Sequence, residues 1–187
     1  EALGAPPFEK RGAVANEYIR AFKELWTSDN PTFHGEHVQF HDVTFEPKPV
    51  QKPHPPIWIG GHTNPAIRRA AEYGDGWMPI GLRPPAILEP EELAEKIARL
   101  RRLTVRAGRP EDAVSLCFST GVTFDDSPGA TRRMMSGRAE QIATDLRQYQ
   151  DLGVRNFILG FPGDSVAALD EAMEQFSKQV MPLIPQD

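Results

Sequence analysis

The residues best suited to chemistry in this 187-residue chain stand in one short run, Gly60-Gly61-His62-Thr63. It lies between the apolar segment Ile57-Trp58-Ile59 and a helix-start pair, Asn64-Pro65. Glycine lets a ligand approach the backbone, a hydroxyl supplies a donor, and a helix N-terminus exposes unpaired N–H groups with a partial positive charge. Together these make a cradle for a phosphate or another anion. The same residues also suit a tight strand-to-helix turn in which glycine serves only the backbone angles. A Gly-Gly pair lacks the specificity of longer phosphate-loop motifs, so both readings stand at this level.

Other candidates are weaker. Trp77, in Asp75-Gly76-Trp77, begins a short strand and is a candidate for lining a substrate mouth, with a core aromatic as the other reading. Asp75 reads as a turn or capping residue, and no second carboxylate is spaced to form an acid–base pair with it. His34, His37 and His41, with Asp42, do not have helical HExxH spacing. In an extended strand only His37 and His41 share a face, so we expect no metal there and a solvated hairpin instead. His54 stands among prolines without an evident partner. Cys117 lies in an apolar strand and is expected to be buried and inert. Its neighbours Ser119 and Thr120 lack a partnered His–Asp pattern. Arg132-Arg133-Met134-Met135 is a short basic patch, read as a solvated loop or as a contact to a cofactor tail or substrate. No catalytic residue is assigned.

The elements that must position these residues follow from periodicity. Val14, Tyr18, Phe22, Leu25 and Trp26 recur at helical spacing over 13–26. Loose alternation around Gly35, from Thr32 to Phe45, predicts a β-hairpin or two short strands. Pro47 to Pro56 holds five prolines in ten residues, a stiff extended connector. Beyond it, short apolar strands (57–59, 76–80, 114–124, 156–160) alternate with amphipathic helices (64–73, from Pro90 to a stop at Gly108, 138–152, 165–180). In the last helix Val166, Leu169, Met173 and Phe176 are expected to face inward. The 125–137 connection carries Pro128 and Gly129. Four strand–helix units imply a parallel sheet covered by helices.

Several separated segments in this order resemble the bacterial luciferase-like family of flavin-dependent monooxygenases and coenzyme F420-dependent oxidoreductases. They are Gly35 to Phe40, Pro47-Lys48-Pro49-Val50-Gln51-Lys52-Pro53, Pro55-Pro56-Ile57-Trp58-Ile59-Gly60-Gly61 and Ala70-Ala71-Glu72-Tyr73-Gly74-Asp75-Gly76-Trp77. The likeness runs from about residue 8 to 182. It implies a TIM-type (β/α)8 barrel of which this chain covers the last four βα units. Residues 1–56 would be the leading helix, hairpin and connector, and 57–187 the half-barrel, together one incomplete domain. It implies that Gly60, Gly61, His62 and Thr63 contact the phosphate end of FMN or coenzyme F420. The isoalloxazine-facing and catalytic residues would lie on the first four strands. A full barrel needs about 250 residues. The start, Glu1-Ala2-Leu3-Gly4, has no initiating Met and reads as a trimmed terminus or as part of a longer chain.

Composition narrows the partners. Lys and Arg total 21 against 26 Asp and Glu, a net charge of −5, which disfavours nucleic acid. No apolar run reaches the roughly 18 residues of a membrane span, so no membrane partner is expected. The single cysteine suits a reducing, cytoplasmic setting. The function expected is an oxidoreductase or monooxygenase that uses reduced FMN or F420 on a small organic substrate. The alternative is a non-catalytic half-barrel that binds phosphate ligands or self-associates. A homo-oligomer, or pairing with the N-terminal half, follows from the open strand edges either way.

Overall fold

The computed structural model describes residues 6–82, 84–126 and 132–184. A single turn of 3-10 helix at Phe8–Lys10 leads into α1 (Arg11–Thr27). A two-stranded antiparallel hairpin follows, β1 (Phe33–His34) and β2 (Gln39–Phe40), with Phe33 stacked on its pairing partner Phe40. It is shorter than the alternation predicted, since Val43 to Phe45 form no strand. The proline-rich connector then runs to β3 (Trp58–Gly60), α2 (Asn64–Tyr73), β4 (Gly76–Met78) and α3 (Pro90–Arg106). The chain continues through β5 (Ser115–Gly121), β6 (Thr123–Phe124), β7 (Ser136–Gly137), α4 (Ala139–Asp151), β8 (Asn156–Gly160) and α5 (Val166–Gln175). A π turn, Phe176–Val180, prolongs α5.

Strands β3, β4, β5 and β8 form one parallel sheet in that order. Paired residues point to the same side, so the sheet has two distinct faces. Ile59, Trp77, Leu116 and Phe118 point to the helix layer and join one core with Ile67, Leu93, Ile97, Ile142 and Tyr149. Phe118 stacks on Tyr149 with ring centroids 4.3 Å apart, and the Tyr149 hydroxyl donates to the Leu88 carbonyl at 3.0 Å. Burial and nearby carboxylates push that hydroxyl well above the ordinary tyrosine range, so it stays a donor. The opposite face carries Trp58, Ile80 and Ile158, which are 41%, 43% and 51% exposed.

Several expected details differ. The 114–124 strand is two strands: the chain breaks at Val122, and β6 turns away to pair in parallel with β7. Residues 127–131, with Pro128 and Gly129, lie outside the described residues. Helix α1 buries Val14, Glu17, Ile19 and Ala21, while Tyr18 and Phe22 of the predicted stripe are exposed. In α5, Val166 and Met173 are exposed, and it is Phe176 and Val180 of the following π turn that are buried, because only that end reaches the core.

Charged side chains close the element ends. Arg109 donates to the carbonyls of Ala71 and Gly74 at 2.8 and 2.7 Å and so caps α2. Lys48 does the same for α1 through Leu25 and Ser28. The hairpin is docked by Glu17, whose carboxylate accepts the backbone N–H groups of Glu36, His37 and Val38 at 3.0, 2.6 and 2.7 Å. His37 is nearly buried beside this contact, whereas His34, His41 and Asp42 are exposed, so the hairpin is solvated except where Glu17 docks it.

Desolvation opposes ionisation of Glu17, but the three N–H donors outweigh it and hold the carboxyl below its ordinary value. A lowered folded-state pKa contributes stability that is present above the unfolded glutamate range. It is lost as pH falls through the folded value. Glu17→Gln should therefore lower the thermal midpoint near neutral pH and flatten its decline on acidification, as read by calorimetry across a pH series.

Candidate functional site

The Gly60–Thr63 turn sits at the C-terminal end of β3, where α2 begins. Gly61 adopts φ +91°, a conformation that favours glycine, and its N–H donates to the Met78 carbonyl at 3.2 Å. Its own carbonyl accepts the Trp77 indole N–H at 2.7 Å. Strand β4 thus holds Gly61 through both its N–H and its carbonyl. Trp77 itself is fully buried in the helix-side core, so it acts on this turn through its N–H and presents no ring surface to a ligand.

Helix α2 spans Asn64–Tyr73 as expected, with Thr63 rather than Asn64 as its N-cap and Pro65 in the first turn. The Thr63 side chain makes no capping hydrogen bond. Its hydroxyl and the first-turn N–H groups therefore remain available together, on a surface where Gly60 and Thr63 are exposed and Gly61 and His62 half-buried. This arrangement can accept a dianion by hydrogen bonding and by the helix dipole.

Asp75 is a structural residue: its carboxylate accepts the Ile57 N–H at 2.8 Å and fixes the start of β3 against β4. His54, expected to stand alone, has Nδ1 at 3.9 Å from the same carboxylate and packs on Trp26. Cys117 is buried, and burial raises its thiol pKa above the usual value, which suits an inert side chain.

The basic patch is not a solvated loop. Arg132 grips the buried carboxylate of Asp145 through two nitrogens at 2.6 and 2.7 Å, and Met135 N–H donates to the same group at 2.7 Å. Met135 is buried with φ +58°. Sequence reasoning missed this anchor because Asp145 lies on a helix whose polar residues otherwise read as a solvated face. A cavity of about 930 Å3 lies here beyond the end of β5, with Gly121, Thr123, Arg133 and Arg138 in its wall. Asp145→Ala should destabilise the fold by about 2 kcal/mol, since a multiply bonded buried carboxylate is lost while Arg132 rehydrates. The thermal midpoint should fall by several degrees.

Comparison with known proteins agrees with this geometry. Residues 1–156 match the family model described as luciferase-like monooxygenase. An FMNH(2)-dependent dimethylsulfone monooxygenase of Pseudomonas putida is 42% identical over 82 residues, covering 43% of this chain and 23% of that protein. An uncharacterized protein of Mycobacterium bovis is 33% identical over 162 residues, covering 86% and 46% respectively. This chain thus spans less than half the length of these curated relatives. Among solved structures, an F420-dependent secondary alcohol dehydrogenase in complex with an F420-acetone adduct superposes with TM-score 0.78 at 17% identity. That match covers 97% of this chain and 64% of that one, and it shows a shared fold. The turn, the parallel strand–helix order and a family match over most of its length agree: this chain belongs to the luciferase-like monooxygenase family.

Proposed function

We propose that the chain forms the phosphate-binding side of a flavin- or F420-dependent oxidoreductase that acts on a small organic substrate. In this reading the four βα units are the C-terminal half of a TIM-type barrel. Support comes from the parallel β3–β4–β5–β8 order and from relatives about twice as long. The observation that carries the reading is the uncapped start of α2 beside the open Gly60–Gly61 backbone. FMN and F420 both carry a ribityl phosphate, and the Thr63 hydroxyl with the first-turn N–H groups of α2, beside the exposed Gly60 backbone, would hold that phosphate. When bound, such a cofactor supplies hydride transfer or oxygen activation. The chain's own part is to anchor the phosphate, orient the ring over the strand ends and keep water from it.

Thr63→Asp separates these roles by sign. An aspartate at the N-cap should stabilise α2 by about 0.5–1 kcal/mol, because it caps the helix and meets its dipole favourably. The same charge should repel phosphate and weaken FMN binding roughly tenfold or more, while leaving phosphate-free riboflavin unchanged. Titration by flavin fluorescence checks this, and equal FMN affinity in the variant would refute the phosphate assignment.

A second reading is supported by the exposed Trp58, Ile80 and Ile158 on the sheet face opposite the helices. A second copy of the chain, or the N-terminal half of a longer one, would cover them and satisfy the open edges of β3 and β8. Light scattering across a concentration series should show a dimer. Trp58→Lys should shift it toward monomer.

A further inference from the structure

Charge is mixed in sign along α1 and α4 but segregated in two other places. From Lys96 to Pro110 there are six cations and no carboxylate: Lys96, Arg99, Arg101, Arg102, Arg106 and Arg109. Between Arg155 and Lys178 the sign reverses, with Asp164, Asp170, Glu171 and Glu174 and no cation. The first run is the C-terminal part of α3 with the loop after it, and the second is β8 and α5.

Two of the cations are spent inside the chain. Lys96 lies 3.2 Å from Glu92, and Arg109 caps α2. Among the described residues Arg99, Arg101, Arg102 and Arg106 make no hydrogen bond or ion pair, although Glu95 stands one turn before Arg99. The Arg99 Nε is also shielded from water without a hydrogen-bond partner. Buried donors are normally paired, and a carboxylate that grips a guanidinium at two points can use that nitrogen. The helix dipole favours Arg106, in the last turn, but fades before Arg99 and Arg102. By helical spacing 99, 102 and 106 share the side of α3 away from buried Leu93, Ile97, Leu100 and Thr104. Val105, 55% exposed, flanks them.

Helix α5 presents the counterpart. Asp170, Glu171 and Glu174 are exposed on it, and among the described residues only Glu174 has a partner, Lys178. Val166 and Met173 lie beside them, also exposed. Each helix therefore carries a charged row next to exposed apolar side chains, and the two rows have opposite sign.

We infer that α3 of one copy docks on α5 of a second copy, its arginine row against Asp170, Glu171 and Glu174. Helix α4 separates the two in chain order, so each copy offers α3 to one neighbour and α5 to another. Such a head-to-tail contact adds copies beyond two as concentration rises. Exposed ion pairs contribute little singly, so the contact depends on the whole row and is screened by salt. It lies on the helix side and is independent of the phosphate assignment and of the apolar sheet face.

Light scattering and sedimentation velocity on the Trp58→Lys chain, which disables the sheet-face contact, read the helix contact alone. The apparent mass should exceed a monomer's at about 20 mM salt and return to it at about 0.5 M, where screening acts within a few Å. Arg102→Glu with Arg106→Glu should stay monomeric, and so should Asp170→Lys with Glu171→Lys. An equimolar mixture of these two should associate again, because the acidic α3 of one meets the basic α5 of the other. Melting midpoints should hold, since all four side chains are exposed. Should a charge reversal unfold the chain, Arg102→Gln with Arg106→Gln should still weaken association roughly tenfold. Absence of salt-sensitive association would overturn the proposal. Association lost in the arginine variant but kept in the Asp170 and Glu171 variant would do so too, as would a mixture that stays monomeric. A monomer that co-sediments with phosphatidylglycerol vesicles would assign the arginines to a lipid surface instead. Salt-resistant association of the unaltered chain, lost in Trp58→Lys, would leave the sheet-face contact alone.

Discussion

Everything in this molecule hangs on one buried seam. The strand residues Ile59, Trp77, Leu116 and Phe118 press against Ile67, Leu93, Ile97, Ile142 and Tyr149 of the helices. Each large apolar side chain removed from water contributes about 1.5–3 kcal/mol, so a seam of this size dominates the folding energy. Because strand side chains alternate, burying one parity commits the other parity to the opposite face. The site residues and the exposed aromatics take their positions from that commitment.

Around the seam, charged groups do short-range work at element ends. Arg109 satisfies the last carbonyls of α2, Lys48 those of α1, Glu17 the backbone of the hairpin, and Asp145 both Arg132 and the Met135 N–H. These groups let irregular backbone lie against the core without leaving polar atoms unpaired. The Thr63 side chain makes no capping hydrogen bond, as with the N-caps of α1 and α3, but it alone of the three carries a hydroxyl.

Much of the element order was legible in the chain itself. The strand–helix alternation after residue 57 is written in short apolar runs and helical spacing, and the elements formed near their expected bounds apart from the split 114–124 strand. What failed to read were contacts between distant segments. Asp145 and Glu17 look like surface carboxylates of amphipathic helices, and only folding brings Arg132 and the hairpin backbone to them. Tyr18 and Phe22 have core chemistry and helical spacing, yet the helix turns Val14, Ile19 and Ala21 inward. A stripe of apolar residues does not say which part of it finds a partner.

The sequence by itself determined the local devices: the Gly60-Gly61-His62-Thr63 turn, the start of α2, the strands and the family likeness. Those depend on residue type and near-neighbour spacing. Only the tertiary structure decided the direction in which each device faces. It buried Trp77 and turned its N–H onto Gly61, and it split the long strand after Gly121. Register and face are properties of pairing between strands far apart in the chain, and a one-residue shift would exchange every inward and outward position.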